Sequence, residues 1–230
     1  MAPTVPLVNG SAPIAAPAAG TRIHTSDPIP LSKRTLDVAL SSIGLVLSAP
    51  LWVLVAVAVK IEDGGPVFYR QERVGQGGRL FDALKFRSMV RNAESAGALQ
   101  AAANDPRVTR VGRLMRATAM DELPQLWNIF RGDMSFVGPR ALRPQEIEVN
   151  GDGRPRLLDQ IPGSRERHRV RPGLTGIAQI FAPRDITRRN KFRYDRLYIR
   201  NQGFWFDVRL ILLSFWITAR GKWEHRGHKL

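Results

Sequence analysis

The sequence predicts an α+β fold that is mostly helical, with an N-terminal re-entrant membrane helix-hairpin, a small β-hairpin and interfacial amphipathic helices. Three observations predict it. A long apolar run, residues 36–59, carries a proline near its middle and cations at both ends. Period-two alternation interrupted by a glycine turn follows at residues 67–87. The later segments space apolar residues at helical intervals, with arginine and tryptophan interleaved.

Residues 1–32 are rich in Ala, Pro, Thr and Ser and hold little that builds a core, so they read as a disordered tail. They lack the basic start and apolar stretch of about 7–15 residues that a secretory signal needs. Residues 33–60 carry the apolar run. At about 1.5 Å per residue it is long enough for a hydrocarbon core of about 30 Å. Pro50 removes a backbone hydrogen bond and bends the helix, with Ser48 available to a freed carbonyl. Cations flank both ends, Lys33 and Arg34 before, Lys60, Arg70 and Arg73 after, whereas a crossing helix shows its excess on one side. Both features point to a hairpin with its two ends on one face. A crossing helix and a buried helix of a soluble domain are the alternatives.

Residues 61–223 form one folded unit, followed by a basic tail at 224–230. Residues 67–71 and 80–87 read as two strands around the turn 75–78, and alternation puts Lys85 and Arg87 on one face. That face is either a solvated strand edge or a pair of cations across a cleft from acidic groups. Residues 88–100 read as a polar helix and 101–106 as a loop. Residues 108–118 read as a basic amphipathic helix with Arg107, Arg110, Arg113 and Arg116, which is either solvated or rests on anionic headgroups, each exposed cation there worth about 1 kcal/mol. Residues 146–167 read as a helix and a loop, and 185–200 as an arginine-dense helix. Residues 204–223 mix Trp205, Trp216 and Trp223 with Arg209, Arg220 and Lys222, as an interfacial helix does; a core helix of a soluble domain has the same apolar face.

The centre of the chain is residues 112–140. Asp121 and Glu122 are adjacent, and neighbours on a helix diverge by about 100°, so the two share one ion or phosphate only at a helix end. Pro124 supplies such an end. Asp133 follows, then Gly138-Pro139-Arg140, a turn presenting a fork-shaped cation suited to phosphate oxygens. In residues 169–179, glycines including Gly173 let backbone approach closely, and Arg171 adds another cation. These residues point to metal-assisted phosphoryl chemistry; the plainer reading is an N-cap with a favourable first-turn charge.

With 35 Lys and Arg against 20 Asp and Glu, the chain carries a net charge of +15. A polyanionic partner follows: nucleic acid, an acidic membrane surface or a phosphorylated substrate. The absence of cysteine excludes disulfides, thiolate metal sites and cysteine nucleophiles.

The motifs KRTLDVAL, VFYRQERVGQGGRLFDALKFRSM, TRVGRLMRATAMDELPQLWNIFRGDMSFVGPR, RVRPGLTGIAQI and FDVRLILLSFWIT, in that order, resemble the bacterial sugar transferase family, the monotopic phosphoglycosyl transferases. The resemblance covers residues 33–218. It implies a cytoplasmic-face catalytic domain at the bacterial inner membrane that moves a sugar 1-phosphate from a UDP-sugar to polyprenyl phosphate and releases UMP. It implies Asp121 as the nucleophile, with Asp121 and Glu122 holding Mg²⁺. Lys85, Arg87 and Arg140 are then the phosphate contacts, Arg171 and Gly173 border the nucleotide, and Asp133 joins the substrate-binding set. UDP-sugar, polyprenyl phosphate and anionic membrane lipids are the expected partners, nucleic acid is not, and a homo-oligomer is compatible. The rivals are a basic nucleic-acid-binding protein and a structural membrane scaffold. Two positions depart from the family pattern: Ala49 rather than serine precedes Pro50, and Ala141 rather than proline follows Arg140.

Overall fold

A computed structural model describes residues 26–93, 105–144, 146–149, 155–157, 160–183 and 186–220. Of the expected tails at 1–32 and 224–230, residues 1–25 and the whole of the second lie outside the described residues, as does most of the expected polar helix at 88–100. Residues 26–32 are ordered, with Asp27 bonded to Arg169 and α1 already begun at Leu31. Among those described, seven α-helices outweigh six short strands, as an α+β, mostly helical reading requires.

Helix α1, Leu31–Asp63, contains the whole apolar run and closes on Gly64, whose left-handed φ of 68° lets its N–H return to the Lys60 carbonyl. Pro50 sits inside this one helix. Its missing N–H leaves the Val46 carbonyl without a helical donor, and Ser48 does not supply one: its hydroxyl reaches the Leu45 carbonyl at 3.5 Å and accepts from Trp52 at 3.0 Å. Leu36, Leu40 and Leu45 pack into the main core, while Trp52, Val55 and Val59 pack into a second one. The turns between leave Ile43, Val46, Leu47, Val53, Leu54 and Val57 exposed. Among the described residues α1 is the helix long and apolar enough to cross a membrane.

Strands β1, Phe68–Val74, and β2, Leu80–Phe86, pair antiparallel with Tyr69 opposite Lys85, and Trp52 of α1 packs edge-on against Phe86. Residues 88–93 form a bridge to Val108 and a turn instead of a helix, because Met89 pairs across to the segment entering α2, Arg110–Ala117. Helix α3, Gln125–Arg131, buries Leu126 and Ile129 against α1 and ends on Gly132. Strand β3, Ser135–Val137, then runs through the core.

Where a helix and a loop were expected, β4, Ile147–Val149, and β5, Pro155–Leu157, form an antiparallel pair before the single turn of α4, Ser164–Arg167. Strand β6, Gly173–Thr175, lies parallel to β3. Helices α5, Ile177–Phe181, α6, Arg188–Asn201, and α7, Phe204–Ala219, complete the chain. Helix α7 buries Leu210, Ile211 and Ile217 and exposes Trp205, Leu212, Phe215 and Trp216 on the other side. The main core joins α3, β3, Val170, Ile180, Tyr198 and α7.

Candidate active site

The site begins where α2 stops. Ala119 adopts φ 56°, a left-handed conformation that costs a non-glycine residue on the order of 1 kcal/mol, and the reversal turns the chain into one 3₁₀ turn, Met120–Glu122. Pro124 then opens α3. Asp121 and Glu122 therefore stand together between two helices, each 9% exposed.

Their surroundings differ. Glu122 Oε1 accepts from Lys85 Nζ at 2.5 Å and Arg140 Nη2 at 2.8 Å. Burial by itself would raise the Glu122 carboxyl, but Arg140 and Lys85 outweigh it and hold the group well below the usual carboxylate range. Among the described residues no group donates a hydrogen bond to Asp121. Burial, with Glu122 adding its charge, pushes Asp121 up to about 6 against Lys85, Arg116 and Arg140. Two neighbouring carboxyls pushed apart in this way divide roles: one stays ionised, the other is the more basic.

Lys85 comes from β2. Arg140 comes from the turn after β3, and that turn depends on two close backbone approaches. A Cβ on Gly138 would lie 2.3 Å from the Arg171 carbonyl, and one on Gly173 2.0 Å from the Gly138 nitrogen. Their absence lets Gly138 N–H reach the Thr175 carbonyl and Gly173 N–H the Pro139 carbonyl, both at 2.9 Å. Arg167, paired with Asp195 at 2.9 Å, donates to the Arg140 carbonyl at 2.6 Å and finishes the support.

Of the residues singled out in the sequence, Asp121, Glu122, Lys85 and Arg140 come together. Four others do not. Arg87 lies just past the end of β2 and turns to Asp63 at the end of α1, so its charge is spent inside the fold. Asp133 sits beyond the far end of α3, where it accepts from Asn128 at 3.2 Å. The Arg171 guanidinium packs 3.2 Å from where a Gly132 Cβ would stand, among Arg34 and Asp133; burial and Arg34 lower its pKa. Seven helical residues, about 10 Å, separate that end of α3 from the acidic pair. Gly173 is enclosed by backbone, and what approaches it is Gly138 rather than a ligand.

Arg73 is the side chain that sequence reasoning misplaced. It shares the hairpin face of Tyr69, donates to the Ala141 carbonyl at 3.0 Å, and its pKa falls to about 10 through burial and the nearby Arg140 and Arg143. The signal was the spacing Tyr69-Gln71-Arg73, which shares one face of the hairpin with its cross-strand partners Lys85 and Ala83. Arg116, on α2, bears electrostatically on Asp121.

Among the described residues no three carboxylate, histidine or cysteine groups gather. Two carboxylates are nevertheless the protein donors that Mg²⁺ needs when it also takes waters and substrate phosphates. Asp121 is undonated and Glu122 uses only Oε1, so their free oxygens fit that role.

The chain is similar in sequence to known proteins. The model of a family described as "Bacterial sugar transferase" matches residues 29–221. The chain is 41% identical over 187 residues to a UDP-glucose:undecaprenyl-phosphate glucose-1-phosphate transferase of Klebsiella pneumoniae, covering 79% of this chain and 39% of that protein. It is 43% identical over 183 residues to a UDP-N-acetylgalactosamine-undecaprenyl-phosphate N-acetylgalactosaminephosphotransferase of Aeromonas hydrophila, 78% and 41% being covered. A UDP-glucose:undecaprenyl-phosphate glucose-1-phosphate transferase of Caulobacter vibrioides is 40% identical over 189 residues, 80% of this chain and 68% of that protein. The matched region thus spans about two fifths of the first two relatives and two thirds of the third.

Proposed function

The chain belongs to the bacterial sugar transferase family, whose model its residues 29–221 match, and on that premise we propose that it transfers a sugar 1-phosphate from a UDP-sugar to undecaprenyl phosphate through a phosphosugar-aspartate at Asp121. The observation that carries this reading is the contrast within the acidic pair: Glu122 is clamped by Lys85 and Arg140, while Asp121 beside it has no donor and a raised pKa. A carboxylate that is ionised at neutral pH yet more basic than usual is a competent nucleophile.

An Asp121 oxygen attacks the phosphorus bonded to the sugar oxygen. The bond from that phosphorus to the bridging oxygen breaks, and UMP leaves with the electron pair. An oxygen of undecaprenyl phosphate then attacks the same phosphorus, the bond to Asp121 breaks, and the sugar departs on a polyprenyl diphosphate with the carboxylate restored. Lys85 and Arg140 hold Glu122 and direct their remaining N–H groups at phosphate oxygens; Arg140, whose side chain is 45% exposed, has them free to do so. Asp121 and the unused oxygen of Glu122 would hold Mg²⁺, whose chemistry is to neutralise the charge that repels an anionic nucleophile.

A re-entrant α1 suits this reaction. Its first turn is bonded to β3 and α7, and its last turn to α2 and Arg87, so both ends grip one folded body while the apolar middle faces outward. Embedding that middle, with the apolar face of α7, in the cytoplasmic leaflet of the inner membrane sets the site at headgroup depth. Exposed Arg110 and Arg113 on α2 then meet anionic lipid, and Arg116 faces the incoming acceptor phosphate. The sugar is carried into exopolysaccharide or a related glycan.

Membranes holding the protein, given undecaprenyl phosphate and a panel that includes UDP-glucose and UDP-N-acetylgalactosamine, release UMP from at least one donor. Without acceptor, a donor labelled in the sugar-linked phosphate labels the protein at Asp121. No UMP from any donor, or turnover with no labelled protein, overturns the proposal.

A further inference from the structure

Helix α1 closes on two carboxylates that reach different elements. Glu62 Oε1 accepts the N–H of Arg110 at 2.6 Å, and its Oε2 the N–H of Val111 at 3.1 Å. These are the first two residues of α2, and their donors have no partner within that helix. The next N–H, that of Gly112, goes to Thr109 at 2.9 Å. The first turn of α2 is therefore capped mainly by a side chain 48 residues earlier, at the end of the membrane helix. Asp63 meanwhile pairs with Arg87, two residues beyond Lys85.

The two elements held are those that build the acidic site. Helix α2 leads through Thr118, Ala119 and Met120 to Asp121, and β2 carries Lys85, whose ammonium fixes Glu122. They are also pressed together. A Cβ on Gly112 would lie 2.0 Å from the Ser88 carbonyl, and Thr109 N–H donates to that same carbonyl at 3.2 Å. Beneath them Val55 and Val59 of α1 pack with Phe86, Met115 and Met120. A shift of α2 along its axis is resisted by Glu62 at one end and transmitted to Asp121 at the other.

We propose that Glu62 is a positioning residue: by anchoring α2 to the end of α1 it sets where Asp121 stands against the Lys85–Glu122 pair, so that seating of the membrane helix is a condition of phosphoryl transfer itself. The inference rests on Asp121 being the nucleophile. The soluble half of the reaction, attack on the UDP-sugar, then depends on a contact made by the membrane anchor although no lipid substrate takes part.

Single-turnover labelling of the full chain in nanodiscs, with a labelled UDP-sugar and no acceptor, separates positioning from folding. The burst amplitude counts competent molecules and the burst rate reads the placement of Asp121. Glu62→Ala slows the burst about 10- to 100-fold, as a displacement near 1 Å does, while molecules that fold still label to full amplitude and the donor KM moves less than about threefold. Glu62→Gln, which keeps one acceptor oxygen, falls between and serves where the alanine variant does not fold. Thr109→Ala removes the cap internal to α2 and leaves the burst rate within about twofold, since the link to α1 is intact. A wild-type burst rate in either Glu62 variant, or equal slowing by Thr109→Ala, overturns the proposal. A wild type that never labels overturns the assignment of Asp121 instead.

Discussion

Lys33 Nζ stands 2.6 Å from Asp207 Oδ2, an ion pair that ties the first turn of α1 to the first turn of α7 with both side chains shielded from solvent. The same ammonium donates to the Val137 carbonyl and the Tyr198 hydroxyl, each at 3.0 Å, and Tyr198 lies 3.0 Å from the other Asp207 oxygen. Removing one partner leaves the other charge buried, which costs about 3–5 kcal/mol. Asp207→Ala therefore lowers the melting temperature of the protein in detergent sharply. Replacing both, Lys33→Met with Asp207→Leu, lowers it less than either single change, because no charge is stranded. A double variant as unstable as the sum of the singles would contradict the pairing.

Asp121→Asn separates stability from activity. The Asp121 pKa lies above its ordinary value, so the folded state binds more protons than the unfolded chain between about pH 4 and pH 6, and stability falls as pH rises through that window. At pH 7 the full cost is present, and removing the charge recovers on the order of 1–3 kcal/mol. Melting at pH 7 rises in the variant while UMP release falls by several powers of ten. Near pH 4 the stability gain disappears.

The burst of label transfer to Asp121 depends on its ionised form, so without added metal its rate climbs through about pH 6 and then levels. Glu122→Gln removes the like charge that helps raise Asp121 and frees Lys85 and Arg140 to face it. The inflection moves to lower pH by roughly one unit. The plateau rate drops and the dependence on Mg²⁺ weakens. A pH–rate profile of the two proteins, with the metal titrated separately, reads both effects; an upward shift would be the wrong sign.

Lys85 and Arg171 are both cations singled out in the sequence, and the fold gives them different work. Lys85→Gln loosens Glu122 and raises the donor KM about tenfold or more while lowering the plateau rate. Arg171→Gln, at the far end of α3, leaves the donor KM within about twofold and does not lower the melting temperature, because burial and Arg34 already disfavour the charge it removes. Steady-state kinetics over a series of UDP-sugar concentrations, with melting of the same preparations, distinguish them.

The elements with strong periods were legible. The hairpin around Gly75–Gly78, the basic helix α2, the arginine-rich α6 and the aromatic α7 all follow from residue spacing. The pairing of β3 with β6 was not, because three residues show no period and their partner lies 38 positions away, Ser135 opposite Gly173. That pairing decides the site. It explains why Gly138 and Gly173 are glycines, and it converts a guess about a nucleotide-bordering loop into a brace for Arg140. Arg87 was misread because alternation continues on paper past Phe86, where the strand ends. Arg73 was read as a charge flanking the membrane helix, since nothing local says that its arm reaches the Ala141 carbonyl beside Arg140. Asp121 and Glu122 were legible as a pair, but their unequal surroundings come chiefly from Lys85 and Arg140, 37 and 18 positions from Glu122.

Ala119 holds its left-handed turn between the end of α2 on one side and the start of α3 on the other, a conformation that a non-glycine residue leaves readily once its surroundings loosen. A spring kept cocked by two posts lets go when either post leans. On warming, the Asp121 carboxyl is then expected to swing out of register before the body of the protein melts, so that the proposed transfer fails while any probe of the helices still reads native.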